Sequence, residues 1–219
     1  MKKCQLCSKL SFGLRKFFSL LGFGVDCEGL NLATDNSSQR ISEINSKAPN
    51  CSCEKYRMSR YSPNVVDSSE YVSLFVFLPI HKTKNGNALP SIFSHVHLKG
   101  RSVQRESIAT KSELIDFAHT FLSADVKRVW EGVLLAKCDD IRSIRLDETL
   151  NRSVCIYDTA KEHNPAHGEI GQTQHIQEAD HNELRHQLLV AFGNGVIVKP
   201  ANYRQGLIWN ALPVNLQTS

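Results

Sequence analysis

The eight residues Tyr71 to Leu78 (YVSLFVFL) are apolar at odd and even positions alike. A strand with one solvated face alternates, so this run predicts a central strand covered on both sides. Lys84-Asn85-Gly86-Asn87 follows as a turn in which Asn and Gly accept positive φ, and Ile92 to Leu98 is the expected return strand. Thr110-x-x-Glu113 is a capping box ahead of a helix whose apolar stripe is Leu114, Ile115, Phe117, Ala118, Phe121 and Leu122. Val129 to Ala136 and Ser153 to Tyr157 read as two strands separated by a turn or short helix near Asp139 to Arg145. A second capping box, Asp180-x-x-Glu183, opens a helix with Leu184, Leu188, Ala191 and Phe192 inward and Gly193 as its stop, and Val196 to Lys199 is a last strand. The order β-β-α-β-β-α-β fits neither a doubly wound nor an all-β fold. It predicts an α+β domain over residues 71–219, with a mixed or mostly antiparallel sheet and two main helices.

Residues 1–70 read differently. From Ala33 to Asp67 the composition turns to Ser, Asn, Pro and charges, which predicts a flexible arm or linker. Of the formal net charge of +4 across 219 residues, +3 lies in residues 1–70. That is too little to demand a nucleic-acid partner, although Lys55, Tyr56, Arg57, Arg60 and Tyr61 interleave basic and aromatic side chains as a single-strand contact would. Within residues 8–23, Leu10, Leu14, Phe17, Phe18 and Leu21 share one helical face, away from Lys9, Arg15, Lys16 and Ser19. This segment reads as a basic amphipathic helix, either docked on its own domain or lying peripherally at an anionic inner-membrane surface. Its apolar part is too short for a span, and no small-x-small site follows, so neither a transmembrane segment nor a signal peptide is expected.

Seven cysteines cannot all pair within one chain, which favours a reducing, cytoplasmic setting over a secreted disulfide scaffold. Cys4-x2-Cys7 and Cys51-x-Cys53, with Cys27 between them, supply enough thiolates for a zinc site or are scattered thiols on the arm.

Nine histidines are present, and five (His163, His167, His175, His181, His186) fall in one short stretch. Imidazole titrates near neutrality and ligates metals. The segment from Asp158 through His163, Asn164, Pro165 and His167 leaves a strand end and is stiffened by proline, so it is the leading candidate site. His95 and His97, two apart on the expected strand, would share a face and could chelate a metal with His167 or Asp158 as third ligand. Arg101, Ser102 and Arg105 come directly after Gly100, and two guanidinium forks there could hold a phosphate or carboxylate.

The Walker, Rossmann, serine-hydrolase-elbow and zincin motifs are absent, and His81-Lys82-Thr83 is half of the two-histidine phosphoesterase signature without its second half. Ser102-Val103-Gln104-Arg105 with Asn164-Pro165-Ala166-His167-Gly168 resembles a pair of short motifs in small uncharacterised bacterial proteins, over Val72 to Phe192. The resemblance implies that Arg105 and His167 belong to one site. Two functions are expected from these residues. The first is an intracellular accessory domain that binds a protein partner or the phosphate of a nucleotide or nucleic acid, tethered by its basic arm. The alternative is a phosphate-directed or metal-dependent hydrolase using Arg101, Arg105, His163 and His167.

Overall fold

In the computed structural model, which describes residues 25–33, 39–79, 81, 86–123, 129–146 and 151–199, five strands form one antiparallel sheet. They are β1 (Tyr71–Leu78), β2 (Arg101–Arg105), β3 (Val129–Lys137), β4 (Val154–Asp158) and β5 (His167–Gln172), in the order β3-β1-β2-β5-β4. Among the described residues, five α-helices accompany them: α1 (Cys27–Ala33), α2 (Arg40–Lys47), α3 (Lys111–Ser123), α4 (Cys138–Arg142) and α5 (His181–Ala191). The fold is α+β, and β1 is buried on both faces as its apolar run requires.

Register determines which side chains share a face. Val72 lies opposite Arg105, Val103 opposite Gly168 and Ile156 opposite Ile170. This face carries the main core: Val72, Leu74, Val76, Leu134, Ile156 and Ile170 pack with Leu184 and Leu188 of α5, with α4, and with the 90–96 segment. On the other face Phe75, Leu135 and Val133 meet Leu114 and Ala118 of α3, whereas Cys155 and Tyr157 meet Ile41 and Ile44 of α2. Between those two apolar clusters runs a polar seam of Ser73, Gln104, Ser102, His167 and Glu169, assigned to this face by the pairs Ser73–Gln104, Gln104–His167 and Ser102–Glu169.

The Thr110 capping box forms as expected: the Thr110 N–H and hydroxyl donate to Glu113 at 2.7 and 2.8 Å, and the Glu113 N–H donates back to Thr110 Oγ1 at 3.2 Å. Asp180 behaves otherwise. It ends a 3-10 turn in helical conformation and makes no side-chain cap bond. Gly193 does take the positive φ of a helix stop, at 64°.

Several expected elements differ. Ile92 to Leu98 is not a strand: Pro90–Phe93 is a 3-10 turn, and tight turns carry the chain to Gly100, where β2 starts. Proline at the first position favours that turn over an extended run. The true neighbour of β1 is Arg101–Arg105, whose charged ends hide it from a search for apolar alternation. His167–Gln172 is likewise a strand, written with two glycines and a glutamate. Of Val196 to Lys199, only Val198 pairs, in an isolated bridge to Val133. The expected linker between Ala33 and Asp67 contains α2 and the 3-10 turn Ser52–Lys55, both packed on the sheet, with Ile41 and Ile44 fully buried. Two disulfides, Cys27–Cys53 and Cys51–Cys155, tie this segment to α1 and to β4. The amphipathic segment 8–23, Cys4, Cys7 and the Lys84-Asn85 half of the expected turn lie outside the described residues.

Candidate functional site

Arg105 closes β2, and its side chain is 0% exposed. Its guanidinium donates to Glu70 Oε2 at 3.0 Å and Oε1 at 2.7 Å, to the Asn64 carbonyl at 2.8 Å and side-chain oxygen at 2.6 Å, and to the Val65 carbonyl at 3.1 Å. Asp158 lies 3.6 Å away. Nε and Nη2 are fully engaged, and Nη1 is shared between the Asn64 carbonyl and the Asp158 charge, so the fork is spent on the protein's own acceptors. Burial pushes Asp158 up to about 6, against the opposing pull of the Arg105 charge; its two buried oxygens accept no hydrogen bond among the described residues, the Ser62 hydroxyl donating instead to the Asn64 carbonyl at 2.7 Å. The Arg105–Glu70–Asp158 group thus fastens the 62–70 segment across the strand ends.

His167 is 3% exposed and belongs to the polar seam. Its Nδ1 lies 3.0 Å from the Thr159 carbonyl and 2.9 Å from the Thr159 hydroxyl, and its Nε2 lies 3.2 Å from Ser102 Oγ. The carbonyl contact favours the tautomer protonated at Nδ1, which leaves Nε2 to accept from the exposed Ser102 hydroxyl. Glu169, opposite Ser102, accepts from buried Arg40 at 2.8 Å.

The sequence-level site therefore divides. His167 lies opposite Gln104, so it shares a face with Gln104 and Ser102, whereas Arg105, the next residue of β2, projects to the other face with Val72 and Asp158. Arg105 and His167 are neighbours in the sheet but share no pocket. His163 is exposed in the β4–β5 hairpin, and Asn164 is buried within that hairpin, bridged to Lys161.

Arg101 lies at the other end of β2 from Arg105. It begins β2 on the core face, opposite Ile170, and its Nε is buried without a hydrogen-bond partner among the described residues. Burial lowers its guanidinium to about 10, still charged at neutral pH. His95 is held below its ordinary value by partial burial and then by the charges of Lys99, Arg101 and Arg185. His97 is lowered by burial and then by His181, Arg185 and His95, and its ring stacks on His181 with centroids 4.5 Å apart. His95 and His97 thus gather with cations, which argues against their expected metal role.

No protein-family model, curated protein or solved structure matches this chain.

Among the described residues, no group of three or more His, Cys, Asp and Glu side chains is placed to hold a metal in the disulfide-bonded chain. Cys51 and Cys53 are each in a disulfide, so neither is a thiolate ligand as expected of the arm. Cys138 is buried as a thiol and pushed up to about 12 by that burial, which leaves it inert. Sequence reasoning also missed an open groove of about 590 Å³ between the end of β3 and the end of α5, lined by Tyr71, Lys137, Asp140, Arg145, Val190 and Asn194. Its residues come from three separated stretches, and no sequence motif marks it.

Proposed function

We propose that this is an accessory binding domain for a phosphate-bearing ligand, seated where the turns of residues 94–100, the start of β2 and the first turns of α5 meet. The basic residues ahead of Val25 serve as its tether. The observation that carries the reading is the Arg101 Nε, buried and unpartnered beside His95, Lys99 and Arg185. A buried donor without a partner costs about 1–3 kcal/mol, more for a charged group, and an anion that accepts from it recovers that cost. Like charges gathered at one place repel until an anion neutralises them, so the same cluster favours occupancy. A guanidinium also suits the planar, two-pronged geometry of phosphate oxygens.

Isothermal titration of the full chain with inorganic phosphate, followed in parallel by NMR of the His95 and His97 ring protons, tests the reading. Arg101→Gln should weaken phosphate binding by about 10-fold or more, from the loss of a charge-assisted bond. Arg145→Gln, whose guanidinium donates to the Arg142 and Ile144 carbonyls, should leave binding unchanged. Equal affinity in the Arg101 variant would discard the site.

A second reading, a serine-dependent hydrolase, is supported by the Ser102–His167–Thr159 contacts. In that case Ser102 Oγ attacks, His167 Nε2 takes its proton, and Thr159 orients the ring as the third group of a triad would. A fluorophosphonate probe distinguishes the readings: an Oγ–P bond forms, the P–F bond breaks, the proton passes to His167 and fluoride leaves. Labelling of Ser102 that disappears in Ser102→Ala would favour hydrolysis, and an unlabelled chain that still binds phosphate would favour the binding domain.

A further inference from the structure

β3 is an edge strand, and its outer side is covered only in part. Val133 exchanges two main-chain bonds with Val198, at 3.0 and 2.8 Å, in an isolated antiparallel bridge. Main-chain groups of alternate residues point to the same side of an antiparallel strand, so Leu135 and Lys137 present theirs outward as Val133 does. The flanking bonds agree. Cys138 donates to the Glu70 carbonyl at 2.9 Å on the β1 side, and Tyr71, opposite Lys137, accepts from Glu106 at 3.0 Å on the β2 side. Neither Leu135 nor the Lys137 N–H makes an outward main-chain bond among the described residues. Val196 donates at 3.1 Å to the Gly193 carbonyl within the Gly193–Gly195 turn, so no strand continues beside Leu135. This uncovered edge is one wall of the groove of about 590 Å³, and the end of α5, with Val190 56% exposed, is the other. Lys137 and Arg145 against Asp140 leave the lining net positive.

We propose that this groove binds an extended, acidic segment of a partner protein, which adds to β3 as a short strand. The groove shares no residue with the Arg101 site, so the two stand or fall separately. A row of unpaired N–H and C=O groups along an edge is a template for another main chain, and pairing with it supplies affinity whatever the side chains are. Specificity comes from the faces. Cross-strand neighbours share a face, so a residue of the segment opposite Lys137 lies beside the Lys137 side chain, where a carboxylate is favoured. The residues next to it in the segment point to the other face, toward Val190 and Ile144, where aliphatic side chains are favoured. Val198 already holds the edge at Val133, so the segment ends or turns away there. The groove therefore fits a few extended residues and not a strand that runs the length of the sheet.

The probe is the capped peptide acetyl-Val-Glu-Val-Glu-Val-amide, titrated into the isotope-labelled full chain and followed by amide NMR. The Leu135 and Lys137 amides should shift, and their hydrogen exchange should slow as the probe saturates. Methylating the probe's amide nitrogens one at a time should weaken binding by about 10-fold at alternate positions only, because every second amide faces β3. Lys137→Pro is the matched change in the protein: φ there is −77°, which proline accepts, and the N–H it removes has no partner to lose. It should weaken the probe by more than about 10-fold, and Lys137→Gln, which keeps the N–H, by less. The methylation scan is read on the native chain, so it decides the matter even where the proline variant fails to fold. A probe that does not bind, methylation effects without alternation, or equal affinity in a folded Lys137→Pro chain would each overturn the proposal. Slow exchange at Leu135 and Lys137 in the free chain would give the groove to residues 200–219 of the chain itself. A dimer in sedimentation that shifts the same amides would give it to a second copy, and either result would also overturn the proposal.

Discussion

The Glu54 carboxylate accepts a hydrogen bond from the backbone N–H of Ile156 at 2.6 Å, although the two are 102 residues apart. Ile156 belongs to edge strand β4, and the carboxylate occupies the place a neighbouring strand's carbonyl would take. Arg152 binds both oxygens at 2.6 and 2.8 Å, and Arg142 adds a contact at 3.2 Å. Burial alone would raise Glu54, but the Arg152 bonds and charge, the Arg142 charge and the Ile156 N–H together hold it below its ordinary value. Glu54→Gln keeps the size and removes the charge, so it should destabilise the fold by about 2–4 kcal/mol, read as a lower urea midpoint. A change within error would show that the edge is closed by something other than this carboxylate.

Asp158 should impose a pH dependence of the opposite sign from Glu54. Its folded value is raised to about 6, so its stabilising contribution is complete below the unfolded value near 4 and is lost as pH rises through about 6. Glu54, being depressed, contributes stability above its unfolded value and loses it as pH falls. The difference in unfolding free energy between the native chain and Asp158→Asn should therefore change by up to about 3 kcal/mol between pH 4 and pH 7, with the native chain losing ground as pH rises. A pH-independent difference would refute the raised value.

At the anion site, His95 and His97 lie below their ordinary values, so both are mainly neutral at pH 7.5 and gain protons as pH falls. Sulfate keeps its charge across this range and is the suitable probe. Its affinity should rise about 2–5-fold for each imidazole that charges between pH 7.5 and the lower pH at which NMR shows the rings protonated, and His97→Gln should remove part of that rise. The sign for stability is the reverse: without an anion, protonation of depressed histidines destabilises the fold as pH falls. Sulfate protection against heat that is equal at both pH values would show that the imidazoles do not face the ligand.

The two expected capping boxes should respond unequally. Thr110→Ala removes bonds that the structure contains and should cost about 1 kcal/mol. Asp180→Ala removes no side-chain cap bond and should stay within about 0.5 kcal/mol of the native chain. Chemical denaturation of both variants under one condition checks the pair.

Gly132 sits at φ 149° in β3, and a Cβ there would come within 2.2 Å of the Val198 carbonyl. Gly132→Ala should break the Val133–Val198 bridge and lower stability by about 2 kcal/mol or more, visible as faster amide exchange at Val133 and Val198.

Where local pattern and burial coincide, the sequence was sufficient. Tyr71 to Leu78 is apolar on both faces because both faces are covered, and Thr110 with Glu113 forms a cap because four residues contain the whole interaction. Leu184 and Leu188 announce the buried side of α5 by their spacing alone. The strands β2 and β5 could not be seen this way, since RSVQR and HGEIGQ place charged, polar and glycine residues inside. Arg105 is interior only because Glu70, Asn64 and Asp158 arrive from elsewhere in the chain to neutralise and bond it. Arg105 and His167 could be named from sequence, but whether they shared a face depended on a register one residue either way, and a strand pairing formed across more than sixty residues sets that register. The cysteines teach the same lesson: an odd count excluded complete pairing, yet folding brought Cys155 and Cys27 to the two sides of Cys51-Ser52-Cys53. Sequence determined the elements whose interactions are local, and tertiary structure decided every site, because a site is made of residues that meet only after the chain has closed its long loops.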